Sequence, residues 1–158
     1  MIFLKLKIID DKLIYYINKK CIDFDTENKE SFEKYIKNLV LNIKKIYGYK
    51  ISGAYNVHIF ENKNYGLIIE FIKKDELNFF PDLIDLKLSI FYDSEIYLKL
   101  DDYFLIKKYK NIYYDEDSFY INVDETYKKD LLILSEFSDF IYGENLSEIK
   151  GNLKLLKY

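Results

Sequence analysis

The chain reads as an antiparallel α+β fold: ββαββ, then a β-rich half with a C-terminal helix, giving one main helix per half. Three observations predict it. Apolar and polar residues alternate through several stretches, the signature of half-buried strands. One strong helical stripe interrupts them between Phe32 and Tyr47. Short polar turns join consecutive strand-like runs, which favours antiparallel neighbours over a doubly wound parallel sheet.

Ile2, Leu4, Leu6 and Ile8 alternate as a first strand. Asp10, Asp11 and Lys12 make a turn, and Leu13–Ile17 is rich enough in β-branched and aromatic residues to return beside it. Asp23, Asp25, Thr26 and Asn28 then offer side-chain oxygens that can cap free first-turn amides. Phe32, Ile36, Leu39, Val40, Ile43 and Tyr47 follow at helical spacing. Acids stand near the start of this helix, lysines near its end and Gly48 where a left-handed cap belongs. The helix therefore spans 30–47.

Around Gly48 the apolar period changes from 3.6 to 2. Ile51, Tyr55, Val57 and Ile59 share one face; Ala54, Asn56 and His58 share the other. A polar loop at 61–64 and a second run with Leu67, Ile69 and Phe71 complete a hairpin over 51–72. Residues 73–85 hold the only proline, Pro81, and read as a connection. Leu86, Leu88, Ile90 and Tyr92 form a strand that Asp93–Ser94 turns into a partner at 95–100. Residues 111–114 and 119–123 form another hairpin. From Thr126 a helical stripe of Tyr127, Leu131, Leu134 and Ile141 runs to Gly143, followed by a short helix at 145–151 and a closing strand at 152–157. The whole, 1–158, is expected to be one compact domain, with a subdivision into 1–76 and 84–158 left open.

Hydrophobic residues make up 49% and charged residues 32%, a globular mixture rather than a disordered one. The chain has neither arginine nor glutamine, as expected of coding biased toward A and T. Without arginine there is no planar fork for bidentate readout of guanine or phosphate. A net charge of −3 and lysines interspersed with acids disfavour double-stranded nucleic acid as a partner. The single cysteine, Cys21, excludes an internal disulfide and a multi-cysteine zinc site. No apolar run reaches the roughly 20 residues that span a bilayer, and the expected location is the cytoplasm.

No motif for a phosphate cradle, a serine nucleophile or a zinc protease occurs. Cys21 and His58, with Asp23 or Asp25 to orient the imidazole, are the only Cys–His combination, and no nucleophile signature surrounds Cys21. Asp23/Asp25 and Asp115/Asp117 have calcium-loop spacing but lack the glycine and distal ligands such a loop needs. His58 is therefore expected to be a strand histidine near water, with no catalytic residue, metal or cofactor assigned. The expected class is non-enzymatic.

The 17 tyrosines are the most distinctive content. Tyr97, Tyr109, Tyr113, Tyr114 and Tyr120 are the candidate binding residues, because tyrosine covers interface area at low entropy cost and carries a hydroxyl. They predict a protein partner met by an adaptor or inhibitor. The alternative is a single-stranded nucleic acid stacked on sheet aromatics beside lysines.

Three segments, "NIYYDEDSFYINVDE" (111–125), "LLILSEF" (131–137) and "LSEIKGNLKLL" (146–156), are similar in order to the C-terminal domain of MecA-type adaptors. "LKIIDDKLIYYI" (6–17), followed by a helix and a hairpin, resembles their N-terminal domain. The adaptors' long charged linker and an early helix of their C-terminal domain have no counterpart here. The resemblance implies a bacterial cytoplasmic adaptor that delivers substrates to the ClpC unfoldase.

Overall fold

The computed structural model describes residues 4–9, 12–48, 51, 53–74 and 84–157. They build two five-stranded sheets and three helices, an α+β fold. Strands β1 (Leu4–Ile9), β2 (Lys12–Asn18), β3 (Gly53–Asn62), β4 (Gly66–Lys73) and β5 (Ile84–Phe91) form the first sheet, in the order β1-β2-β4-β3-β5. The second sheet comprises β6 (Ile96–Leu100), β7 (Ile112–Tyr114), β8 (Phe119–Asn122), β9 (Asp139–Tyr142) and β10 (Lys154–Leu155), in the order β10-β7-β8-β6-β9. The expected turn at Asp10–Asp11 and the proline of the 73–85 connection lie outside the described residues.

Helix α1 spans Lys29–Tyr47, one residue longer than the spacing predicts. The Asn28 side chain accepts from the amides of Glu30 and Ser31, and Gly48 ends the helix with φ of 68°. Its stripe of Phe32, Ile36, Leu39, Val40 and Ile43 packs against Leu13, Tyr15 and Ile17 of β2, Tyr55, Val57 and Ile59 of β3, and Leu67, Ile69 and Phe71 of β4. The β3–β4 hairpin has the expected faces: Val57 and Ile59 point to α1, while Asn56 and His58 point away and are only partly covered.

The opposite face of the first sheet meets the second sheet. Ile14, Tyr16 and Ile68 share a core with Leu98, Leu100, Ile112 and Ile121. Residues of β9 reach several strands of the first sheet beneath it. Asp139 pairs with Lys7 of β1 at 3.6 Å, Phe140 stacks on Tyr16 of β2 at 5.0 Å, and Tyr142 meets Phe60 of β3 at 4.9 Å. β9 thus crosses the first sheet steeply, as in orthogonal sheet packing. Helix α2 (Lys128–Glu136) adds Leu131 and Leu134 to this core. Helix α3 (Gly143–Lys150) covers the outer face of the second sheet, where Leu146 packs on Tyr97 and Tyr120. The layers run α1, first sheet, second sheet, α3.

Two expectations are corrected. β5 and β6 do not form a hairpin through Asp93–Ser94: β5 pairs parallel with β3, while β6 joins the other sheet between β8 and β9. Alternation in 86–90 reports one buried face and not its neighbour. β5 extends that face beneath α1 along the free edge of β3. The amide of Ser94 donates to the carbonyl of Glu61 at 2.7 Å and directs the chain into the second layer. The second correction concerns 137–142. The spacing of Leu134 and Ile141 suggests one helix, but α2 stops at Glu136 and 139–142 become β9, because pairing with β6 satisfies that backbone. Gly143 starts α3 rather than ending α2, with φ of 57°.

Gly66 has φ of 137°, and a Cβ there would stand 2.2 Å from the Ile17 carbonyl oxygen. Gly66→Ala should destabilise the protein by about 3 kcal/mol or more, because the obstacle is backbone that cannot yield. Val57→Asp should cost as much or more by placing an unpaired carboxylate under α1, whereas His58→Asn should change the urea midpoint little. Urea unfolding followed by circular dichroism measures all three.

Candidate functional site

Tyr97, Tyr109 and Tyr120 are 5, 4 and 2% exposed, so these three contribute no open surface. Tyr97 lies under α3, its ring 6.0 Å from that of Tyr113, and burial raises its phenol pKa. Tyr120 donates to the Asp115 carboxylate at 2.6 Å; burial and that carboxylate push its pKa well up. Asp115 also accepts from the amides of Asp117 and Ser118, both at 2.9 Å, so the Asp115/Asp117 pair builds the β7–β8 turn. Tyr109 donates to Asp130 at 2.5 Å, and Lys108 reaches the same carboxylate at 2.6 Å. Tyr113 and Tyr114 are half-buried. These tyrosines were legible as aromatic surplus; that two layers cover the sheet carrying most of them was not. Asp25 likewise serves a turn, accepting from Glu27 at 3.0 Å.

Cys21 packs toward the α1 core, whereas His58 lies on the opposite face of the first sheet. The fold therefore does not bring the Cys–His combination together. It does place Glu70 across from His58 on β4. Glu70 is only 7% exposed, with Lys12 3.8 Å away. The Tyr142 hydroxyl interacts with the Glu70 carboxylate and with Tyr16; burial first, then that carboxylate, raises its pKa strongly. Tyr16 is pushed up to about 12, mainly by burial. Lys12, His58, Glu70 and Tyr142, together with Phe60 and Phe91, line a cleft of about 640 Å³ between the first sheet and the start of α3. Two of its carboxylates are ion-paired, Glu70 with Lys12 and Glu95 with Lys150, while the exposed Glu144 adds a third. It is a half-open polar cleft at the joint between the layers.

The more receptive surface is the edge of the first sheet. Among the described residues no strand pairs with the outer side of β5, so part of its backbone is unpaired. A groove of about 730 Å³ runs between β5 and α1, lined by Lys29, Glu33, Lys37, Val40 and Leu41 of the helix and by Ile84–Leu88 of the strand. The helical residues recur about every four positions, one face of α1. Leu41 is 62% exposed and overhangs the groove, while Leu86 and Leu88 form its half-buried floor. This site is built by the correction described above: without the parallel β3–β5 pair there is neither edge nor groove. Alternation in 86–90 signalled the strand but not the neighbour that makes the groove.

Asp130 allows a pH test of the Tyr109 cluster. The hydrogen bonds from Lys108 and then Tyr109 hold its carboxyl below the usual range. A depressed folded-state pKa adds stability above about pH 3.9 that is lost as pH falls through the lowered value. Asp130→Asn should thus cost up to about 1 kcal/mol near neutrality, solvent screening keeping it small, and the gap to wild type should narrow as pH falls below the usual carboxylate range in urea titrations. No family model matches this chain, and neither a curated protein nor a solved structure is significantly similar to it.

Proposed function

We propose that the chain is a non-enzymatic protein-binding module, an adaptor or inhibitor, that takes an extended segment of its partner as an added strand on β5. The open edge of β5 beside the α1 groove carries this reading. Strand addition supplies affinity through main-chain hydrogen bonds and specificity through pockets for alternate side chains. The dimensions agree. The five lining residues Ile84–Leu88 correspond to roughly 16 Å of extended strand, and Lys29–Leu41 of α1 to roughly 18 Å of helix. A partner segment of about five residues therefore fills the groove, with an apolar side chain between Leu41 and Leu88 and polar neighbours near Lys29, Glu33 and Lys37. The adaptor role implied by the MecA-type resemblance fits this mode of binding. The buried Tyr97, Tyr109 and Tyr120 lend no support to base stacking as an alternative.

The decisive measurement is crosslinked capture from the native host, repeated with Leu41→Asp. That residue is exposed, so the variant keeps its fold, yet partner affinity should fall about tenfold or more. Amide shifts of the wild-type protein on binding should concentrate in 84–91 and the outer face of α1. A partner whose capture ignores Leu41→Asp, or turnover found in a substrate screen with no partner recovered, would overturn the proposal.

A further inference from the structure

β5 is long, lacks proline and ends in the exposed Ile84 and Phe91. Such an edge invites another strand unless something covers it. We infer that a second copy of this chain covers it, through antiparallel β5–β5 pairing about a two-fold axis at Leu86. The charge pattern of the strand selects both occupant and register. Centred on Leu86, Asp85 stands opposite the second copy's Lys87 and Lys87 opposite its Asp85, giving two ion pairs. Ile84 then faces Leu88, and Leu86 faces itself, so the apolar row beneath α1 continues across the seam. Centring on Lys87 would set two lysines against each other. Centring on Leu88 would set Asp85 against the Phe91 ring. Opposite like charges, or a carboxylate against a ring, disfavour both. A two-fold contact requires such a self-complementary surface.

The paired segment is short and falls below the area of a standard stable interface. The dimer is therefore weak and concentration-dependent. It occupies the surface assigned above to the partner segment, so self-association holds the groove closed until a partner displaces the second copy; this consequence alone rests on the proposed function.

Charge exchange tests the register without any partner. Sedimentation equilibrium up to about 1 mM should show a monomer–dimer equilibrium for the wild type. Asp85→Lys and Lys87→Asp should each weaken it about tenfold or more, and the double exchange should restore it. Both side chains are exposed, and circular dichroism should find each variant folded. An independent arm uses Cys21→Ser with Leu86→Cys. Opposed strand residues have Cα atoms about 4.5–5.5 Å apart, within disulfide reach, so mild oxidation should yield a covalent dimer. A wild type that stays monomeric, single variants that dimerise unchanged, a double exchange that fails to restore association, or no crosslink at position 86 would each overturn the inference. Partner capture can still succeed or fail separately, which keeps this result distinct from the proposed function.

Discussion

The central strands β2 and β4 of the first sheet are buried on both faces, and the rest of the structure follows from that constraint. β4 shows it most plainly. Leu67, Ile69 and Phe71 enter the α1 core, while Ile68 enters the core shared with the second sheet. A strand covered on both sides must be apolar on both sides, and any polar group in it needs a partner. Ile68 meets the first condition. Glu70 meets the second, held beside Lys12 and the Tyr142 hydroxyl. One helix cannot cover two faces, so the second half of the chain folds over the first as a separate layer.

The joint between those layers is organised by a few polar groups at its rim. Asn62 is buried; its side-chain oxygen accepts from the amides of Asn64 and Tyr65, both at 2.9 Å. Its amide donates to the Ser94 carbonyl at 3.0 Å and to Asp124 at 3.3 Å. One side chain thus shapes the β3–β4 turn, anchors the passage from β5 to β6 and touches the 3-10 turn at Val123–Glu125. Such contacts add about 1 kcal/mol each when formed but cost more when broken in a dry setting. They determine how the sheets sit more than how strongly they adhere.

Covering the centre of the first sheet on both faces leaves its two edge strands, β1 and β5, as the ones with unpaired backbone among the described residues. β5 is the margin with the longer approach: it lies beside α1, and its charges alternate along an otherwise apolar strand. The opposite margin, β1, carries Lys7 paired to Asp139 of the second sheet, which ties that edge to the layer above.

The alternation of Val57 and Ile59 with Asn56 and His58, the α1 stripe and the Gly48 stop were all determined by sequence. Each follows from backbone periods that act within a few residues. The 112–122 hairpin was equally local. Tertiary structure decided the rest. The parallel placement of β5 depends on a free edge of β3, which no pattern in 84–91 encodes. The strand at 139–142 depends on the hydrogen-bonding groups of β6, and these outweigh a helical spacing that leaves Phe137 exposed. The burial of Tyr97, Tyr109 and Tyr120 depends on α2 and α3 closing over the second sheet. A side chain's face is set by its own strand; whether that face is wet depends on which element comes to lie above it, and that is a property of the whole chain.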